Sequence, residues 1–228
     1  MYLKWSEQTI TDFSEAHINS LYNQGWLFTR EGKGKMYQTR SLRVDLSKFE
    51  LSSENRRVLK KTDDIGLMTY DIPYKKYSWE IGKLGKEFYQ TKFGEKTFSA
   101  NKIKELLTEK HNFNKLFIYD NKQEVAGYCI CFETDKILHY SYPFYVLHHT
   151  SYVISPNLGL GMMLRAIIYA KEAGHVKLPD GSHVASKKYV YLGSAKDAKA
   201  KYKLQFAGLE WFDGTNWDRD INKLKNIL

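Results

Sequence analysis

Three runs of apolar and aromatic residues between Lys115 and Leu147 constrain this chain more than any other stretch. They are Leu116-Phe117-Ile118-Tyr119, Val125 to Phe132, and Ile137 to Leu147, each of strand length and rich in β-branched or aromatic side chains. Only Asp120-Asn121-Lys122-Gln123 and one short turn separate them. Connections that short join antiparallel neighbours, because a parallel pair needs a crossover of a dozen or more residues. A three-stranded antiparallel meander is therefore expected.

Upstream, the chain alternates helical and strand patterns. A first helix is expected from Thr11 or Asp12, where Asp12 and Glu15 have capping-box spacing, to Gly25, with Phe13, Ala16 and Leu21 inward. Gly25 to Gly34 reads as a strand and turn. Ser41-Leu42-Arg43-Val44-Asp45-Leu46 alternates like a half-buried strand, and a basic helix follows from about Ser53. Trp79, Ile81, Leu84 and Phe88 recur at near-helical spacing. Ser99 then caps a second run carrying Ile103, Leu106 and Leu107, and the two helices are expected side by side. Downstream of the meander, Pro156-Asn157-Leu158-Gly159-Leu160-Gly161 reads as a glycine turn opening a helix from Met162 to Ala173 that stops at Gly174. A strand at Tyr189-Val190-Tyr191-Leu192-Gly193 and a short Lys- and Ala-rich helix complete the pattern.

Meander, glycine turn, helix, strand, helix is the order of an acetyltransferase-like (GNAT-like) core. The expected fold class is α/β (α+β), with a mixed, mainly antiparallel central sheet flanked by helices. The expected division is an N-terminal region over 1–70 packed on a core over 71–228.

Composition narrows the partners. The 35 Lys and Arg against 26 Asp and Glu give a formal charge of +9, which attracts polyanions, although lysine-rich surfaces also serve solubility alone. Cys129 and Cys131 are the two cysteines; alternation along a strand points them to one face, and they read as buried, reduced thiols. No stretch approaches the roughly 20 apolar residues of a membrane span, so a soluble, cytoplasmic protein without membrane association is expected.

Three constellations carry candidate chemistry. Backbone amides at Gly159-Leu160-Gly161 could receive an anion at a helix N-terminus, or the glycines could merely permit a tight turn. In Arg56-Arg57-Val58-Leu59-Lys60-Lys61, helical spacing crowds four cations on adjacent faces, a repulsion that phosphates would relieve. In Lys201-Tyr202-Lys203, lysines flank an aromatic ring able to stack on a base, unless Tyr202 and Phe206 belong to the core. His148 and His149 adjoin without a carboxylate or cysteine at catalytic or metal-ligand spacing. The chain has no nucleophile elbow, Walker loop or HExxH helix.

Taken together, Ser41 to Phe49 running into Arg56–Lys61, Leu158-Gly159-Leu160-Gly161 after the tyrosine-rich His139 to Tyr145, and Tyr189 to Gly193 followed by Lys201-Tyr202-Lys203 and Phe206 resemble the arginyl-tRNA:protein transferases and their bacterial leucyl-transferring relatives. The resemblance runs along nearly the whole chain in order. It implies an aminoacyltransferase of the N-degron type, moving an aminoacyl group, Arg or Leu, from a charged tRNA to the α-amino group of a protein with N-terminal Asp or Glu. It implies tRNA or acidic-substrate contacts at Arg56, Arg57, Lys60 and Lys61, an anion or carbonyl contact at Gly159, Leu160 and Gly161, and an acceptor-end pocket lined by Tyr191, Lys201, Tyr202 and Lys203. Within that pocket Tyr191 and Tyr202 are the catalytic candidates. Arg43 would bind an acidic side chain or pair on the sheet. The cysteine cluster usual in the family is absent from Arg30 to Arg40, so neither metal nor cofactor is expected, and Pro143-Phe144-Tyr145 stands in place of Tyr-Asp-Pro. Two alternatives stay open: an N-acyltransferase using acyl-CoA, disfavoured by Pro156, and a non-catalytic tRNA- or protein-binding relative.

Overall fold

In the computed structural model, residues 3–121, 124–147, 157–173 and 187–228 are described. His148, His149, Pro156 and Gly174 lie outside them. The chain forms two compact units, one built from Met1–Ser53, Glu133–Tyr140 and Ile167–Leu228, the other from Glu54–Phe132 and Ser141–Ala166.

In the first unit, β1 (Ser6–Thr9), β3 (Lys35–Gln38) and β2 (Trp26–Phe28) make a small antiparallel sheet in that order. A second sheet runs β11 (Trp217–Asp218), β10 (Leu209–Phe212), β4 (Ser41–Asp45), β9 (Tyr189–Ser194) and the first half of β8 (Ile137–Tyr145). Here β4 is antiparallel to both β10 and β9, while β9 is parallel to β8 through Ile137↔Tyr189 to His139↔Tyr191. The helix α1 (Glu15–Asn23) starts later than expected, because Asp12 bonds the amide and hydroxyl of Ser14 and leaves Ser14 as the cap residue. Its buried stripe is Ile18, Leu21 and Tyr22; Phe13 precedes the helix at 40% exposure, and Ala16 is exposed. The strand β4 corrects a second expectation: all five of its residues are buried, since it has a strand on each side and polar partners for its polar side chains.

The second unit holds β5 (Gly66–Asp71), β6 (Lys115–Asp120), β7 (Val125–Glu133) and the second half of β8, in the order β5-β6-β7-β8. The meander is thus present. Its helices are α2 (Ser53–Lys61), α3 (Trp79–Phe93), α4 (Ala100–Thr108) and the first half of α5 (Leu158–Glu172). Ser99 caps α4 by accepting the Lys102 amide. Gly82 and Gly85 let α3 approach α4: a Cβ on Gly85 would stand 2.4 Å from Ile103, and one on Gly82 3.2 Å from the Ala100 carbonyl. Ile103, Leu106 and Leu107 are fully buried beneath them, each stabilising the fold by roughly 1.5–3 kcal/mol. Trp79, expected in the inner stripe, is instead 65% exposed. Cys129 and Cys131 are free, buried and 3.5 Å apart at sulfur, and burial raises the Cys129 thiol well above its usual range.

The fold class is thus mixed α/β, with mainly antiparallel sheets flanked by helices and, among the described residues, one parallel pair, β8–β9.

Candidate functional site

In the first unit the register of β4 decides the site. Arg43 stands opposite Tyr191 on β9 and opposite Glu210 on β10, so a guanidinium, a phenol and a carboxylate meet across three strands. Arg43 Nε donates to Glu210 Oε2 at 2.8 Å, both side chains being under a tenth exposed. Arg43 Nη1 donates to Asn23 Oδ1 at 3.0 Å and reaches the Tyr191 hydroxyl at 3.4 Å. The guanidinium carbon lies 3.7 Å from the Tyr189 ring centre and 3.8 Å from that of Trp217, a cation clasped between two aromatic faces. Glu210 also accepts from Arg219 Nε at 2.8 Å, and the Trp217 indole donates to the Asn23 carbonyl at 2.7 Å.

An open cleft of about 560 Å³ lies over this network, lined by Tyr189, Asp213, Trp217 and Arg219 with Arg43 and Glu210 at its base. Of the candidates, Arg43 is therefore committed to Glu210 and the aromatic clasp, and Tyr191 is fully buried beneath it. Burial raises the Tyr191 hydroxyl pKa, opposed by the neighbouring Arg43 charge. Nothing in the spacing of the sequence ties Asn23, Glu210, Trp217 or Arg219 to Arg43; the strand register brings in Glu210, and the end of α1 brings in Asn23.

Beyond Tyr191, β9 continues past its pairing with β8. Lys203 donates to the carbonyls of Leu192, at 2.7 Å, and Ser194, at 3.5 Å. It comes from a 3-10 helix, Ala198–Gln205, whose start is fixed by Asp197 accepting the Lys199 amide, and Gly193, inside β9, takes φ +78°. Burial lowers the Lys203 amine to about 8. Lys201 and Tyr202 are exposed on the same short helix, while Phe206 is buried after it. Nearby, His139 is buried, bonded through Nδ1 to the Tyr22 hydroxyl at 2.9 Å, and lowered to about 3 by burial and by Lys203. It is a neutral core histidine.

In the second unit, α2 exposes Arg56, Arg57, Lys60 and Lys61. Glu54, just before the run, binds Arg57 through both carboxylate oxygens. Arg165 of α5, missed in the sequence, closes the end of α2 by donating to the Thr62 and Ile65 carbonyls and to the Thr62 hydroxyl. Gly159, Leu160 and Gly161 lie inside the first turns of α5, which begins at Leu158, rather than in a turn before it. The Gly161 amide donates to the Asn157 carbonyl at 2.8 Å. A Cβ on Gly161 would meet Thr62 at 2.6 Å, and one on Gly159 the Tyr145 hydroxyl at 2.8 Å. These glycines permit close packing of α5. Among the described residues no group of three or more His, Cys, Asp or Glu is placed to hold a metal, and no helix is long and apolar enough to cross a membrane.

No protein-family model and no curated protein matches the sequence. Solved structures with some likeness include the C-terminal domain (DUF2156) of a candidate lysylphosphatidylglycerol synthetase from Agrobacterium fabrum, at 13% identity and TM-score 0.46 over 83% of this chain and 55% of that one. L-PGS from Bacillus licheniformis is similar at 10% identity and TM-score 0.49, over 92% of this chain and 68% of that one. A GCN5-related glucosamine N-acetyltransferase region of a fungal multi-domain β-N-acetylglucosaminidase is similar at 10% identity and TM-score 0.45, over 90% and 22%. The chain spans about half the length of the first of these and about a fifth of the third. Likenesses this distant carry no argument about activity.

Proposed function

We propose that the protein is an aminoacyl-tRNA-dependent transferase that acylates an amine, with the α-amino group of proteins bearing N-terminal Asp or Glu as acceptor. The observation that carries the reading is α2, whose four cations all face solvent with one acid, Glu54, just before them. A helix so charged is suited to phosphates, which release counterions when they bind. The order of meander, α5, and β9 parallel to β8 supports acyl transfer as the chemistry, since it matches what the resemblance implies.

The chemistry asks little of the protein. An aminoacyl ester is already activated, and an α-amino group with a pKa near about 8 is partly neutral at physiological pH. Holding amine and ester together supplies most of the acceleration. Arg56, Lys60 and Lys61 take tRNA phosphates, with Arg57 set by Glu54; Lys201 and Tyr202 meet the acceptor end beside Lys203. Gly159, Leu160 and Gly161 act by seating α5. Tyr191 and Arg43 act as positioning residues: they fix β9 between β4 and β8, and so the strand end from which the 3-10 helix departs.

The test offers a mixed pool of labelled aminoacyl-tRNAs and peptides that differ only in the N-terminal residue, with acetyl-CoA as a parallel donor. Label from tRNA on Asp- and Glu-initiated peptides is expected. Activity with acetyl-CoA alone would replace this reading by an acyl-CoA transferase, and no transfer with either donor by a binding protein.

A further inference from the structure

The exposed Trp79 is unexplained by the fold or by the proposed transfer. It is the most exposed tryptophan, and it opens α3 directly after a turn rich in tyrosine and lysine, Tyr74-Lys75-Lys76-Tyr77-Ser78. The Tyr70 and Tyr74 rings meet edge to face, 5.3 Å apart, and with Asp71, Pro73, Lys75 and Lys76 line a shallow cleft of about 230 Å³. Lys83 sits over the Trp79 ring at 5.6 Å. The Tyr77 amide donates to the Tyr74 carbonyl at 3.3 Å, and a Cβ on Gly82 would stand 2.5 Å from the Tyr77 hydroxyl, so the turn and the start of α3 adjoin. From Tyr70 to Phe88 there are four lysines, at 75, 76, 83 and 86, against Asp71, Glu80 and Glu87, with Lys83 3.9 Å from Glu87. Asp71 is bonded to Lys115 at 2.7 Å and stays largely exposed, so Lys115 brings a fifth lysine to this surface.

We infer that this surface is a second nucleic-acid site, a stacking platform for an unpaired RNA strand in which Trp79 and the Tyr70–Tyr74 pair receive bases and Lys75, Lys76 and Lys83 receive phosphates. The ingredients are those that single-strand binding needs: π-faces that accept any base, interleaved with cations that follow the backbone. Duplex RNA keeps its bases stacked inside and cannot use the rings. Excess positive charge selects a polyanion over an apolar partner. The identity of the partner rests on the proposed reading, in which the RNA is a charged tRNA with a single-stranded 3′ end; the platform itself needs no catalysis.

Binding is therefore measured without a donor. An oligouridylate of about 12 nucleotides, within the span single-strand grooves cover, is titrated against the full chain while tryptophan emission and oligonucleotide anisotropy are followed. Quenching of the exposed tryptophan is expected, with W79F abolishing the quench yet keeping affinity within about twofold, because phenylalanine still stacks. W79A should weaken binding about tenfold, the loss of one stacked base. K75A with K76A should flatten the salt dependence by about one phosphate contact per lysine. Trp79 is mostly solvated, so these variants should keep the wild-type melting temperature. Unchanged affinity in W79A, equal binding of a matched duplex, or loss of anionic-vesicle binding rather than RNA binding in W79A would each overturn the platform. Transfer that fails while Trp79-dependent binding persists would instead count against the proposed function alone.

Discussion

Two short runs that carry cations, Ser41–Leu46 with one arginine and Arg56–Lys61 with two arginines and two lysines, meet opposite fates. In the first, Arg43 is buried in β4, clasped by Tyr189 and Trp217 and held by Glu210; in the second, the cations of α2 stand in solvent. The same division separates Lys187, buried against Glu133 at 2.9 Å, and Lys203, on two carbonyls, from Lys75 and Lys76. Net charge of +9 therefore pools cations with two occupations. Buried ones hold strands together and cannot greet a polyanion; exposed ones contribute little to stability and are free to do so.

The sharpest way to break this comparison is to remove one partner of the buried network. Glu210→Gln leaves Arg43 buried without its carboxylate, and urea unfolding should show a loss of about 3–5 kcal/mol. A loss under about 1 kcal/mol would mean that Arg43 is far freer than its surroundings imply. A smaller effect is expected where α5 packs: Gly161→Ala should cost about 1–3 kcal/mol, because the new Cβ would stand 2.6 Å from Thr62. If it instead left stability intact and weakened donor binding, the glycines would be a ligand site after all.

Next comes pH. His139 is lowered from 6.5 to about 3, so below pH 6.5 the unfolded chain binds a proton that the folded chain refuses. Stability is present in full above 6.5 and falls with pH down to about 3, by about 2 kcal/mol at pH 5 from this group. His139→Gln should flatten that window in unfolding measurements. The smallest stability effect is expected from R56A, K60A and K61A together: the melting temperature should stay put, while tRNA affinity falls and its salt dependence flattens by about one contact per charge removed.

How much of this was legible beforehand follows the range of the interactions. The meander, α3 and α4 rest on local periodicity and a local cap at Ser99, so the sequence carries them. The burial of β4 does not follow from its alternating pattern, because it depends on β9 and β10, far away in the chain, supplying partners for Ser41, Arg43 and Asp45. For the same reason Glu210 and Arg219 could not be foreseen beside Arg43. The segment from Leu209 to Ile227, which forms β10, β11 and α6 (Ile221–Ile227), shows too short a pattern to announce two strands and a helix. Trp79 fits a helical stripe by spacing alone, yet the stripe that packs on α4 is set by Gly82 and Gly85, whose missing side chains a hydrophobic pattern does not register.

The most direct test of the central claim is donor competition in a single reaction. Wild-type protein and the R56A/K60A/K61A variant are each given an Asp-initiated peptide, labelled aminoacyl-tRNA and differently labelled acetyl-CoA at equal concentration. The prediction is tRNA label on the peptide with wild type, and the same product from the variant only at raised tRNA concentration. Acetyl label on the peptide, or tRNA label transferred equally well by the variant at every tRNA concentration, would contradict it.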